Sequence, residues 1–162
     1  MTTETTTSTT TTTTTVVVGD DDLGTVTITR IFNAPRELVY AAMLDPQQLT
    51  KFWGPTGIST PLESIVIEAW VGGRFETLMV MDDGSGSFPS AGTFTELEEP
   101  SVIAFGEVDG MVTRSTYTDL GDGRTEVVIT QTNVPAMYRA DEALAGFITS
   151  LDRFDAYLAT IV

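Results

Sequence analysis

The chain has no cysteine and no histidine among its 162 residues. Disulfides, thiol nucleophiles, zinc sites of the usual kind, Ser-His-Asp triads and histidine acids or bases are therefore excluded. Lysine is almost as scarce, with Lys51 standing alone, and Lys plus Arg total 8 against 23 Asp plus Glu. The net charge of −15 repels phosphate backbones and anionic lipid, so neither nucleic acid nor a membrane surface is an expected partner. No apolar run reaches the length that a bilayer-spanning helix needs. The first residues lack the basic start and apolar stretch of a secretory signal, and a cytoplasmic location is expected. What remains for chemistry is Asp, Glu, Arg, Tyr, Ser, Thr and one Lys, a set that can move protons but shifts the balance from catalysis toward binding. No metal and no cofactor is expected.

Thr2 to Thr15 is almost pure threonine, interrupted only by Glu4 and Ser8, and no apolar residue follows Met1 until Val16. Such a segment has nothing to bury against the entropy of ordering it, so residues 1–24 read as a disordered tail and 25–162 as one folded domain. The folded part opens on Thr25 to Asn33, where Val26, Ile28 and Arg30 alternate with Thr25, Thr27 and Thr29 in the manner of a strand. Pro35 and Glu37 then start a short helix carrying Leu38, Val39, Ala42 and Met43. Asp45-Pro46-Gln47-Gln48 has the pattern of an N-cap, a proline at the first helical position and a capping-box partner, ahead of Leu49, Phe52 and Trp53.

From Leu62 to Thr132, six strands are expected, punctuated by Gly72-Gly73, Asp82 to Gly86, Glu99-Pro100, Asp109-Gly110 and Gly121 to Gly123. They run Leu62–Trp70, Arg74–Met81, Phe88–Leu97, Val102–Val108, Val112–Leu120 and Thr125–Thr132. After Pro135 the period changes, and Leu144, Phe147, Ile148, Leu151, Phe154, Leu158 and Ile161 form the stripe of one long amphipathic helix. The expectation is an α+β helix-grip fold: a seven-stranded curved antiparallel sheet wrapped around a long C-terminal helix, with two short helices after the first strand. One helix does not fill the concave side of such a sheet, so a cavity is expected between them.

Several stretches, in order, carry a resemblance. Thr29 to Tyr40, Asp45-Pro46, Phe52 to Gly57, Gly72-Gly73-Arg74-Phe75, Gly92 to Glu96, Arg124 to Val127, Gly146-Phe147 and Leu151 to Leu158 resemble the activator of heat-shock-protein-90 ATPase homologue (AHSA-like) family. This family lies within the START-like (SRPBCC) superfamily, which shares the Bet v-like helix-grip fold, and the resemblance covers about Thr25 to Leu158. Ala69-Trp70-Val71 stands where the family usually has an acidic-aromatic-arginine stretch, and Phe147 stands where a tryptophan is common. Nothing here resembles the extra N-terminal domain of the eukaryotic cochaperone.

The resemblance implies a small hydrophobic molecule as partner, held between sheet and long helix, with Trp53 either on the rim of the pocket or simply in the core. Strand parity turns Phe75, Met79, Phe94, Phe105 and Gln131 inward, opposed by Phe147 and Leu151. Arg114, Tyr117 and Gln131 are candidate polar groups for orienting a ligand, alongside Arg74, Glu96 and Glu107; no residue is singled out as catalytic. Gly72-Gly73 reads as a turn or as a close approach for a ligand. Two other readings stand beside the binding module. One is a cyclase, dehydratase or hydrolase type of enzyme using Tyr117, Arg114 or an enclosed Glu in the same cavity. The other is a protein-interaction regulator or cochaperone-like module using the outer sheet face, with a homodimer left open.

Overall fold

The computed structural model describes residues 2–8, 12–19 and 22–162. Its ten strands form a single antiparallel sheet: β1 (Thr3–Ser8), β2 (Thr12–Val18), β3 (Gly24–Phe32), β4 (Ile58–Ser59), β5 (Val66–Ile67), β6 (Arg74–Met81), β7 (Ser87–Glu98), β8 (Val102–Glu107), β9 (Val112–Asp119) and β10 (Thr125–Val134). The spatial order is β1-β2-β3-β10-β9-β8-β7-β6-β4, with β5 also paired to β6. Among the described residues there are also four α-helical pieces: α1 (Arg36–Met43), α2 (Pro46–Leu49), α3 (Ala136–Arg139) and α4 (Asp141–Ala159). Among the described residues, no helix is long and apolar enough to cross a membrane.

The helix-grip plan stands, but the seven-stranded count and the placing of just two short helices do not. Two extra strands come from the threonine-rich stretch expected as a tail. Their backbone finds partners in register, Thr6 opposite Thr15 and Thr15 opposite Thr27. Threonine is β-branched and fits a pleated surface, so the segment needs only an edge to pair with, and β3 supplies it. A third extra strand, β4, lies on the edge of β6. The expected Leu62–Trp70 strand shrinks to Val66–Ile67. Pro61 starts a single 3-10 turn at Leu62–Ser64 instead, and the Ser64 hydroxyl closes that turn by donating to the Pro61 carbonyl at 2.7 Å. An unanticipated turn of helix, α3, follows Pro135.

Strict alternation in β3 puts Val26, Ile28, Arg30 and Phe32 on the inner face, all buried. Arg30 is tolerated there because its guanidinium reaches out to Asp152 at 2.8 Å and Asp155 at 3.4 Å on α4, and donates to the Thr12 hydroxyl at 3.1 Å. It ties β2, β3 and α4 together. Deleting residues 2–18 would remove the Thr12 acceptor, unpack Val16 from the core and leave β3 as an edge strand. Because most of β2 is only half-buried, the expected cost is about 1–2 kcal/mol, a fall of roughly 3–6 °C in Tm by calorimetry. An unchanged Tm in the truncated protein would show that these strands contribute nothing.

The helical end of the core follows the sequence closely. Asp45 caps α2, accepting from the Gln47 amide at 3.0 Å, while the Gln48 side chain donates back to Asp45 at 3.0 Å. That cap fixes the entry into Leu49 and Phe52, both buried. Phe52 then stacks on Phe154 of α4, centroids 4.1 Å apart and 16° from parallel, and Phe154 also meets Phe32 of β3 at 5.0 Å.

Candidate functional site

Between the inner face of the sheet and α4 lies a cavity of about 500 Å³. Its floor is made by Phe105 of β8, by Thr113, Ser115 and Tyr117 of β9, and by Val127, Ile129 and Gln131 of β10. Leu144, Phe147, Ser150, Leu151 and Phe154 of α4 form the roof, a consequence of the helical stripe that also buries Leu151, Phe154 and Leu158. Phe52, Trp53, Gly54, Pro55 and Ile58 close one side. Phe88 and Tyr138, both about half exposed, stand at the opening. None of the lining residues carries a charge.

The wall from Trp53 to Gly57 is loop leading into β4 at Ile58, and α4 holds it. One guanidinium nitrogen of Arg153, Nη1, donates to three carbonyl oxygens: Gly54 at 2.7 Å, Pro55 at 3.0 Å and Ile58 at 3.0 Å. The Thr56 amide adds a bond to the Thr149 hydroxyl at 3.1 Å. Arg153 sits among the acidic residues on the polar side of the stripe, and its partners are backbone carbonyls, which leave no mark in a sequence.

Of the residues expected at the site, Trp53, Met79, Phe105, Tyr117, Gln131, Phe147 and Leu151 line the cavity. Phe75 and Phe94 point inward as expected but lie one layer deeper. The Phe75 ring stacks on Phe105 at 4.8 Å and meets Phe94 edge-on at 5.4 Å, so both support the floor rather than form it. Arg114 does not belong to the cavity. Thr113 and Ser115 take the inward positions of β9, which turns Arg114 to the outer face. There it pairs with Glu96 at 2.9 Å across the small Ala104, the residue opposite both of them in register. The Glu96 bond keeps the guanidinium charged above its ordinary range and holds the Glu96 carboxyl below its own. The double glycine is a turn: Gly72 takes φ +90°, and a side chain on Gly73 would collide with the Glu68 carbonyl.

The polar groups inside the cavity are neutral hydroxyls and one amide. Burial pushes the Tyr117 phenol far above its usual range; a bond with the Ser115 side chain opposes the rise and nearby Tyr40 adds to it. Tyr117 therefore remains a neutral hydroxyl at physiological pH, able to orient a guest but not to act as a base. The Gln131 amide reaches the Thr113 hydroxyl at 3.4 Å. Among the described residues, no group of three or more His, Cys, Asp or Glu is placed to hold a metal ion.

A curved antiparallel sheet closed over one long helix around an uncharged cavity defines a START-like helix-grip protein. Solved structures of the same shape support this. A protein from Chromobacterium violaceum is 26% identical with a TM-score of 0.74, covering 82% of this chain and 95% of its own. One from Mycobacterium smegmatis is 25% identical with a TM-score of 0.75, covering 91% and 98%. The AHSA1-like protein from Aeromonas hydrophila is 26% identical with a TM-score of 0.71, covering 83% and 93%. No curated protein matches the sequence significantly. The model of the family "Activator of Hsp90 ATPase homolog 1-like protein" matches residues 33–159, and the chain belongs to that family.

Proposed function

We propose that this chain is a cytoplasmic binding protein that takes a small hydrophobic molecule into the cavity between its sheet and α4. The observation that carries the reading is the lining itself: about 500 Å³, within the ordinary range for small-molecule sites, walled by aromatic, aliphatic and methionine side chains with no charge. Met43, Met79 and Met111 give part of that wall the adaptability that suits a forgiving apolar fit. The hydroxyls of Thr113, Ser115 and Tyr117 and the Gln131 amide supply a short polar strip for orientation. Acid–base catalysis is less well served: Arg114 faces away from Tyr117, and no carboxylate lines the cavity.

The test is a thermal-shift screen of the purified protein against lipids, polyketides and aromatic metabolites. A true ligand at a hundred times its Kd adds about 2.7 kcal/mol, worth roughly 5–10 °C in a chain of this size. Ser150→Phe, which places a ring in the cavity from the roof, is expected to keep the fold and abolish that shift. The reading fails if no apolar class raises Tm, or if Ser150→Phe leaves the shift intact.

A further inference from the structure

Just off the apolar cavity, three polar side chains form a row on the inner face of the sheet, one from each of β6, β7 and β8. Thr77 lies between Phe75 and Met79 on the inward side of β6 and is 4% exposed. Its register partner across to β7 is Ser90. The Ser90 hydroxyl in turn donates to Glu107 Oε1 on β8 at 2.6 Å, passing Gly92, which stands opposite Glu107 and has no side chain to block the way. The row is bordered by residues that line the cavity. Met79 and Phe88 are the next inward pair along β6 and β7, Phe105 is the inward residue before Glu107, and the Glu107 amide bonds the Met111 carbonyl.

Two features of the row have no use in the fold alone. Thr77 Oγ1 is buried with no hydrogen-bond partner among the described residues, whereas buried hydroxyls are normally satisfied because leaving one dry is costly. Glu107 is a carboxylate drawn into a partly buried setting beside Phe105, where, among the described residues, Ser90 alone is bonded to its side chain. Burial raises its carboxyl above the ordinary range, the Ser90 bond works against the rise, and Asp109 adds to it. An acceptor carboxylate, a bridging hydroxyl and an unpartnered hydroxyl are thus gathered within one side chain's reach of an apolar chamber.

We propose that Thr77, Ser90 and Glu107 form a polar subsite of the cavity that receives the hydrogen-bond-donating end, a hydroxyl or an amine, of an otherwise apolar guest. The inference rests on the binding reading above and adds to it the chemistry of the ligand's head. Glu107 accepts from the donor, and Thr77 completes its own bonding with the same group. Met79, unbranched and already on the cavity wall, is the side chain that must swing to open the passage. The sign of charge follows: a carboxylate head would meet Glu107 in a chain of net charge −15 and be disfavoured, while an amine would be favoured.

The experiment compares 1-decanol and decylamine with decyl methyl ether and decanoate, by calorimetry and thermal shift, on the full chain and on Thr77→Val. The two donors are expected to bind about tenfold more tightly than the ether, with decanoate weakest. Thr77→Val swaps the unpartnered hydroxyl for a methyl of the same shape. It should raise the Tm of the free protein while removing most of the preference for decanol over the ether, leaving ether binding unchanged. Glu107→Gln, which can still accept from Ser90, should abolish the preference for the amine. Equal binding of decanol and the ether, unaltered by Thr77→Val, would overturn the subsite while leaving the apolar binding reading intact. A fall in Tm for Thr77→Val without loss of discrimination would show that Thr77 serves the fold only, and would also overturn it. Failure of all four compounds to bind would remove both readings together.

Discussion

Replacing Phe154 with alanine should destabilise the protein by about 3–5 kcal/mol, the cost of a fully buried aromatic truncated in a core that cannot collapse around the gap. The ring is 4% exposed and lies between two others, stacked on Phe52 and tilted against Phe32. It is the point where α4, the β3 strand and the segment after α2 meet. Phe32 is fixed in β3, and the Phe52 amide is bonded to the Leu49 carbonyl of α2 at 3.1 Å, so the space left would stay open and join the existing cavity, which Phe154 already lines. Since native domains are stable by only about 5–15 kcal/mol, the loss should be plain in urea unfolding, as a lower midpoint with little change in slope. A loss under about 1 kcal/mol would mean that α4 is not anchored through this ring, and the helix-over-sheet account would need replacing.

How much of this was legible in the sequence depends on whether each residue's partner leaves a periodic trace. The α4 stripe, the Asp45 cap and the alternation of β3 all do, because each contrasts apolar with polar at a fixed spacing, and all three stand in the structure. The threonine stretch offers no contrast between its two faces. Its strands exist because β3 presents an edge, and composition alone argued for a tail. Arg114 was misplaced for a related reason. The inward residues of β9 include Thr113 and Ser115, no more apolar than the outward ones, so parity gives no phase there until the register with β10 is known. Glu107, one of the candidate polar groups, is inward by its parity with Phe105 and by its register opposite Gly92, which puts it beside the cavity but off its lining.

Arg153→Met should cost about 2–3 kcal/mol and, unlike Phe154→Ala, should act on the cavity wall more than on the core. One Nη1 atom satisfies the carbonyls of Gly54, Pro55 and Ile58, a bend in which Gly54 takes φ +98° and Pro55 contributes no amide donor of its own. Methionine matches much of the arginine stem but donates nothing, so the Gly54 and Ile58 carbonyls would lose this charged donor to whatever water can enter, while the Pro55 carbonyl would keep its bond from the Ile58 amide at 3.1 Å. Each loss is a fraction of the usual penalty for an unmade bond to a charged donor. Lysine keeps the charge but not the planar guanidinium, and a single ammonium on a flexible stem is not preorganised for this cluster, so Arg153→Lys should recover only part of the loss. The Trp53 side chain reports the difference. It lies on the loop side of the cavity, 5.5 Å from Phe75, and its fluorescence should red-shift as the wall loosens in Arg153→Met while far-ultraviolet dichroism stays near wild type. Ligand affinity should fall with it, since Trp53, Gly54, Pro55 and Ile58 all face the cavity. If Met and Lys at this position both match arginine in stability, in Trp53 emission and in binding, then the three carbonyls are served equally well by solvent and the helix does not hold the loop.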